Sequence, residues 1–298
     1  MARFAVADLG LLAGYAICRV LPISWVSAFG AWRGRYRGAQ LQELEARVRR
    51  NLADIAPDAD PQTVLPALKR ESGRAALEVL IADRLVKAGH IDWQPHPDLD
   101  AMINDGRSVV FALPHICNLG DVLGGAILDR FTHFQNREVV VRTIQSPIMR
   151  MIVRRCRSRL IRDLPGHIQP PNRGLAKRAL TCLQQPLGML MLHIDEARAK
   201  QVPFPAFGRP LPAKGLNAHY AVRFARSAGA CLVPVVMHRD PGRPTHFTAR
   251  VLAVWDMASE AQSDHEVLSR MDKAFEDEIA SNPSTWLNIY HRRPISGA

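Results

Sequence analysis

The sequence predicts an α/β fold in which helices flank a mostly parallel central sheet. Short apolar runs bounded by turn residues are the first observation: residues 108–113 lie between Asp105-Gly106 and Pro114, as expected for a strand buried on both faces. Such runs alternate with longer stretches of helical periodicity, which is the order of βαβ units. The chain has 298 residues, 47% of them hydrophobic, and can therefore fill a large core.

The predicted elements follow one another without an internal repeat or a flexible linker. Residues 40–53 are predicted to form a charged helix, and residues 61–88, with apolar side chains at helical spacing, a longer amphipathic one; both are expected on the outside. Strands are then predicted at residues 108–113, 139–141, 187–194, 231–237 and 247–254, and helices at residues 147–160, 174–183, 216–227 and 265–280. Ligands collect beyond the carboxyl ends of parallel strands, so polar residues at those ends are candidates for a site.

The amino-terminal region is predicted to be a helix that associates with a membrane. Residues 9–32 are uncharged except for Arg19 and are nearly long enough to span a bilayer. Arg33, Arg35 and Arg37 follow, and by the positive-inside rule they place the rest of the chain in the cytoplasm. We expect a membrane anchor or interfacial helix at residues 1–38 and one larger domain at residues 39–298. The alternative is that the first helix is buried in a soluble protein.

The charge of the chain indicates a partner rich in phosphate. Lys and Arg number 39 against 28 Asp and Glu, which gives a formal net charge of +11. Nucleic acid and anionic lipid both attract such a surface. The aromatic share is only 6% and no nucleic-acid motif is present, so anionic membrane lipid is the expected partner and nucleic acid is not. The five cysteines form no C-x-x-C pair, which indicates a reducing compartment without disulfides or structural zinc.

Three acidic residues near the strand ends are candidates for the carboxylate that orients one histidine. His115 comes directly after the strand at 108–113, Asp121 starts the next helix, and Asp195 and Glu196 follow the strand at 187–194. Transfer of an acyl group to a hydroxyl needs a base of near-neutral pKa and a carboxylate that orients it. The spacing leaves open which carboxylate pairs with His115, and Asp121 could instead cap its helix.

Several blocks resemble one family of enzymes. The segment from Leu113 to Asp121 resembles the His-x4-acid block of the bacterial lipid A lauroyl and myristoyl acyltransferases and of their actinobacterial relatives that acylate phosphatidylinositol mannosides. Other blocks similar to that family stand in order at residues 50–52, 142–147, 188–196, 202–210 and 228–235, and then at Pro283, Trp286 and residues 291–293. The likeness therefore covers almost the whole chain.

The resemblance implies a membrane-bound enzyme at the cytoplasmic face of the inner (plasma) membrane. Such an enzyme moves a fatty acyl chain from a thioester of acyl carrier protein or coenzyme A to a hydroxyl of a membrane glycolipid or phospholipid, without metal or bound cofactor. His115 is the expected general base, and Asp121 or Glu196 its carboxylate partner. The expected substrate-binding residues are Asn118, Arg142, Arg173, Asp195 and Lys214. Cys117 and His193 are interpreted as packing and core residues.

The chain departs from the family pattern at two acidic positions. The family's acid five residues after the histidine is here Gly120, and Asp121 follows one residue later. A shift of one residue turns a helical side chain by about 100°. The family's Asp-x-Asp is here Asp195-Glu196-Ala197. These departures motivate a second hypothesis, a catalytically impaired relative that binds lipid or acyl donor without turnover.

Overall fold

The structure is a computed structural model of the chain, and it describes residues 2–36, 40–117, 119–140, 146–160, 167–169, 174–196, 201–211 and 215–292. The described α-helices are α1 (Ala2–Val20), α2 (Ile23–Arg35), α3 (Gln40–Ile55), α4 (Pro61–Glu78), α5 (Ala82–Lys87), α6 (Pro97–Asn104), α7 (Asp121–Arg130), α8 (Pro147–Leu160), α9 (Leu175–Leu183), α10 (Asn217–Ala228) and α11 (Asp264–Ser281). Short 3-10 helices lie at Val79–Ile81, Pro283–Thr285 and Leu287–His291.

The described strands form one mixed, mostly parallel sheet. They are β1 (Ile91–Trp93), β2 (Val109–Leu113), β3 (Asn136–Val140), β4 (His167–Gln169), β5 (Gly188–His193), β6 (Cys231–Arg239), β7 (Phe247–Val251) and β8 (Trp255–Asp256). Their order across the sheet is β1-β7-β6-β2-β5-β3-β4, with β8 beside the start of β6. Only the pairings of β6 with β7 and β8 are antiparallel among those described, so the predicted α/β class is confirmed.

The sheet centre is formed by the most apolar strands. All five residues of β2 are buried, and β5 pairs with it in parallel, Leu113 lying opposite His193. Helices α9 and α10 pack on these strands, while α5, α7 and α8 pack against one another. Because β2 and β5 are neighbours and run the same way, their carboxyl ends place two loops side by side.

The helix predicted at residues 61–88 is interrupted. Asp60 caps α4 by accepting the backbone N–H groups of Gln62 and Thr63, and Pro61 takes the first helical position. The helix ends at Glu78, and the 3-10 turn Val79–Ile81 leads into α5. Glu78 is fully buried, so this bend brings a carboxylate into the core.

The apolar stretch at residues 9–32 forms two helices rather than one. Pro22 directly precedes α2, and a proline cannot continue the helix before it. None of the described helices is both long and apolar enough to cross a bilayer. Arg19, the one charge in the stretch, pairs with the buried Asp83 at 2.5 Å.

Glycines allow α2 to lie directly on α4. A Cβ atom at Gly30 would come within 2.6 Å of the carbonyl oxygen of Gly73, and Gly34 would likewise meet the carbonyl of Lys69. Ser27 adds a hydrogen bond of 2.7 Å to Glu78. The opposite face of α2 exposes an aromatic ridge, defined here as Trp25, Phe29, Trp32 and Tyr36.

The glycine contact predicts a selective loss of stability. In Gly30→Val the new side chain meets backbone that cannot move aside, so we expect the free energy of unfolding to fall by about 1–3 kcal/mol. Gly124→Ala is the control, because a Cβ there meets nothing within 4 Å and alanine favours helix by up to about 1 kcal/mol. Urea unfolding followed by circular dichroism measures both. Equal stability of the two variants would contradict the close α2–α4 contact.

Candidate active site

His115 lies just past the end of β2, in a loop held by the last described part of the chain. The backbone N–H of Leu287 donates to the carbonyl of His115 at 3.0 Å, and the N–H of Cys117 donates to the carbonyl of Thr285 at 2.8 Å. Between them, Ile116 and Trp286 form an isolated antiparallel bridge. We call residues 285–288 the C-terminal clamp.

Asp195 lies beyond the end of β5 and is the carboxylate that contacts His115. Its Oδ1 lies 2.6 Å from His115 Nδ1, and its Oδ2 accepts the backbone N–H of His115 at 3.0 Å. Trp286 Nε1 donates to Oδ2 at 2.8 Å, and Asn288 donates to the Asp195 carbonyl at 2.6 Å. The carboxylate has no exposure to water, so the donors from His115 and Trp286 replace its hydration.

His115 and Asp195 shift each other's pKa: the pKa of His115 is raised and the pKa of Asp195 is lowered. Burial alone lowers the pKa of His115, but the charge of Asp195 and the hydrogen bond to it outweigh burial and raise that pKa above its ordinary value. Burial raises the pKa of Asp195, and the cationic His115 together with the donated hydrogen bonds brings it below its usual range. The pair is therefore arranged to hold a proton on the imidazole beside an ionised carboxylate.

A cleft of about 570 Å³, counted with the open space at its mouth, begins at His115. Its polar lining comes from the ends of β2 and β5 and the loops after them, from the first residue of α7 and from α8, and includes His115, Asp121, Arg157, His193 and Glu196. Along the strands and under α7 and α8 the lining is apolar. That part is formed by Leu113, Leu128, Val139, Leu160 and Met191.

Asp121 lies in the same cleft but pairs with Arg157 rather than with His115. Arg157 Nε lies 2.5 Å from Asp121 Oδ1, and its Nη2 lies 3.3 Å from Oδ2. Gly120 occupies the N-cap position of α7, so Asp121 is the first helical residue, where the helix dipole favours a negative charge. The charge of Asp121 is the smallest of the influences that raise the pKa of His115.

Glu196 also lines the cleft and, like Asp121, acts on His115 through its charge. The sequence left Asp121, Asp195 and Glu196 open as partners of His115, and the resemblance favoured Asp121 or Glu196, with Asp195 in substrate binding. In the structure it is Asp195 that bonds to the imidazole. Asn118, Arg142, Arg173, Ala197 and Lys214 lie outside the described residues.

His193 is not the satisfied core residue that the sequence suggested. Its ring lines the cleft with its centroid 4.6 Å from that of His115, and its Nδ1 bonds to none of the described residues. A Cβ atom at Gly120 would overlap the His193 ring, so glycine at position 120 makes room for the imidazole. Burial, and then the charge of His115, lower the pKa of His193, so its ring is neutral at physiological pH.

Cys117 is unsuited to act as a nucleophile. Its side chain is fully buried, and burial raises the pKa of the thiol to about 12. The thiol is therefore protonated near neutral pH, whereas the thiolate is the reactive form. The interpretation of Cys117 as a packing residue is confirmed. Among the described side chains, no group of three or more His, Cys, Asp or Glu residues could hold a metal ion.

Comparison with known families decides between the chemistries that such a cleft could support. The family model of the bacterial lipid A biosynthesis acyltransferases matches residues 3–293. The chain belongs to this family. No curated protein matches the chain in sequence. Membership implies acyl transfer onto a lipid acceptor, and the resemblance seen in the sequence is confirmed.

In this member of the acyltransferase family, the contributions of Trp286, Asn288 and His193 could not be predicted from the sequence. Trp286 was noted only because it belongs to a terminal block that resembles the family. No pattern in the sequence indicated a role for Asn288. His193 stands in an apolar run, so its neighbours indicated a buried strand and not the face on which it lies. Asn51 belongs to the family-like block at residues 50–52. It donates hydrogen bonds to the carbonyls of Ile289 and Arg292 and so holds the chain beside the clamp, which joins two family-like blocks that are far apart in the sequence.

The contact between His115 and Asp195 predicts that substitution of Asp195 changes the pKa of His115, which titration can measure. Asp195→Asn removes the charge that contributes most to raising the pKa of His115, so we expect burial to lower that pKa relative to the wild type. In the wild type, protonation of His115 stabilises the fold fully below the ordinary pKa, and this contribution is lost as the pH rises through the raised native pKa. NMR titration of the imidazole and melting temperatures between pH 5 and 9 measure both effects. An unchanged pKa in the variant would show that Asp195 does not set it.

Proposed function

We propose that the protein transfers a fatty acyl chain from a thioester of acyl carrier protein or coenzyme A to a hydroxyl of a membrane glycolipid or phospholipid. His115 is the general base and Asp195 orients it. The observation that carries this proposal is the 2.6 Å contact between the two at the polar end of a cleft whose other walls are apolar. Family membership supports the reaction class.

The proposed reaction uses one imidazole twice. Asp195 binds the Nδ1–H of His115, which fixes the tautomer and leaves Nε2 as the acceptor of a proton. His115 removes the proton from the acceptor hydroxyl while the oxygen attacks the thioester carbon. When the tetrahedral intermediate collapses, the C–S bond breaks and His115 returns the proton to the departing sulfur. The raised pKa of His115 suits both steps, because the imidazolium between them is stabilised by Asp195.

The apolar walls of the cleft suit an acyl chain. Leu128 and Leu160 come from α7 and α8, and Val139 and Met191 from neighbouring strands. Each buried methylene contributes about 0.8 kcal/mol, so a chain lying along these walls anchors the thioester without polar contacts. The carbonyl then lies at the polar end, beside His115.

Arginines on α8 suit the anionic part of either substrate. Arg157 lies in the cleft, and Arg150 and Arg154 share its helical face and are exposed. Phosphates of a donor, an acidic carrier protein or an anionic headgroup would be attracted to this row. We propose Asn118, Arg142, Arg173 and Lys214 as further substrate contacts, since the sequence places each near a strand end or in the family-like blocks.

The aromatic ridge on α2 suits attachment to a membrane surface. Trp25, Phe29, Trp32 and Tyr36 are 65%, 53%, 52% and 70% exposed, and the ring centroids of Phe29 and Trp32 lie 5.4 Å apart. Exposed Arg33 and Arg35 follow on the same helix. Amphipathic aromatic side chains beside basic ones favour an interface with anionic lipid. We propose peripheral attachment at the cytoplasmic face of the inner membrane, with residues 1–38 as the attaching part.

Acyl transfer by membranes that contain the protein tests the reaction. We expect His115→Ala and Asp195→Asn to lower the rate by about two orders of magnitude or more, because one removes the base and the other its correct tautomer. Asp121→Asn and Glu196→Gln are matched carboxylate controls in the same cleft and should lose less. Transfer of radiolabelled acyl groups from acyl carrier protein and from coenzyme A to a mixed lipid extract is measured.

The same experiment separates the catalyst from a non-catalytic lipid binder. A wild type as inert as His115→Ala with both donors, yet still binding acyl thioester, would support the impaired relative. A larger loss in Asp121→Asn than in Asp195→Asn would assign the partner of His115 to Asp121.

Vesicle binding tests the attachment. In the double variant Phe29→Ser, Trp32→Ser, we expect binding to vesicles containing phosphatidylglycerol to weaken about tenfold or more, since each aromatic side chain contributes roughly 1.5–3 kcal/mol when buried. Tyr220→Ser is the control, because Tyr220 is an exposed aromatic on α10. Co-sedimentation measures the bound fraction. Equal binding of the double variant and the control would rule out the ridge as the contact.

A further inference from the structure

His193 is the one imidazole besides His115 that lines the described part of the cleft, and the proposed reaction so far gives it no task. It ends β5, directly opposite Leu113 at the end of β2. Two residues later along the chain, Asp195 bonds to His115, and two residues earlier, Met191 belongs to the apolar wall. His193 therefore stands at the boundary between the apolar wall and the His115–Asp195 pair.

This boundary is where the reacting carbonyl of a thioester would lie. An acyl chain that lies along Met191 and Val139, with its carbonyl carbon beside His115, must pass His193 between them. The imidazole is close to the base, with the two ring centroids 4.6 Å apart and the ring planes 31° from parallel.

The His193 ring is suited to donate one hydrogen bond. Nδ1 is buried and makes no hydrogen bond of normal geometry to a described residue, and the Leu113 carbonyl has only the smallest of the influences on the pKa of the ring. A buried N–H without a partner is rarer than a buried acceptor without one. The proton of the neutral ring is thus favoured on Nε2. That side of the ring lies against Gly120, which also lines the cleft. Burial and the neighbouring His115 keep the ring neutral, so it does not repel the imidazolium that forms on His115.

We propose that His193 is a second catalytic residue, which donates an N–H hydrogen bond to the thioester carbonyl oxygen and stabilises the oxyanion of the tetrahedral intermediate. This rests on the proposed function, because it assumes an acyl thioester in the cleft. As the acceptor oxygen bonds to the carbonyl carbon, the electron pair of the C=O bond moves to oxygen and the His193 donor faces it. When the C–S bond breaks, the pair returns and the hydrogen bond weakens. The His193 proton stays on nitrogen throughout.

This proposal explains why position 120 is a glycine. Any side chain at position 120 would overlap the imidazole, and the residue has a φ of 91°, which favours glycine. The acid that the family pattern places here and a histidine at position 193 are therefore mutually exclusive in this backbone.

Two substitutions of His193 separate the effect of its hydrogen-bond donor from the effect of the volume of its ring. His193→Phe keeps an aromatic ring of similar shape without a donor, and we expect kcat to fall about 100-fold with little change in KM. His193→Gln restores a side-chain N–H and should recover at least part of that loss. His90→Phe is the matched control: His90 also stacks on a histidine, with ring centroids 4.2 Å apart, and has a buried Nδ1 without a described partner. Circular dichroism melting checks that each variant is folded.

A spectroscopic measurement tests the hydrogen bond without turnover. The probes are ketone analogues of lauroyl and palmitoyl thioesters, on coenzyme A and on acyl carrier protein, in which CH2 replaces the sulfur. We expect the infrared stretch of the 13C-labelled ketone to lie at lower frequency when bound to the wild type or His90→Phe than to His193→Phe.

The outcomes are distinguishable. If the ketones bind but the stretch and kcat are the same in wild type and His193→Phe, the role of His193 is overturned while the proposed function stands. If no ketone binds the wild type and no thioester is consumed, the proposed function fails and this proposal fails with it.

Discussion

A carboxylate without access to water must be surrounded by hydrogen-bond donors, and the buried Asp195 imposes this requirement on much of the molecule. Its partners are the backbone and ring of His115 and the indole of Trp286. These come from segments that are far apart along the chain. Asn51 on α3 in turn holds residues 289 and 292 through their carbonyls, so the outer helices also support the carboxylate.

The sequence predicted the elements whose pattern is local and strong. Pro147–Leu160 is a helix with the predicted bounds, and the strand predicted at residues 108–113 differs from β2 by one residue. Strands β1, β4 and β8 were missed because two or three residues carry no usable periodicity. The break before α2 was missed because apolar composition outweighed Pro22, although a proline cannot continue the helix before it.

The site was only partly predictable, since pairing across a sheet depends on strand order. His115 was found from its place after a buried strand. Its partner could not be chosen because Asp121 is near along the chain while Asp195 and Glu196 follow another predicted strand. The adjacency of β2 and β5 brings Asp195 to the imidazole. The order of strands is set by packing of the whole sheet and has no local signal. His193 was misjudged for the same reason, since the face it occupies depends on that packing.

During synthesis of the protein, the active site can form only after the C-terminal clamp has been made. Ribosomes make His115 and Asp195 long before residues 285–288, which hold the His115 loop and bond to Asp195. Until the clamp emerges, the carboxylate lacks the indole donor and must stay hydrated. The site of a nascent chain is therefore incomplete until residues 285–288 have been made and have packed against the His115 loop and Asp195.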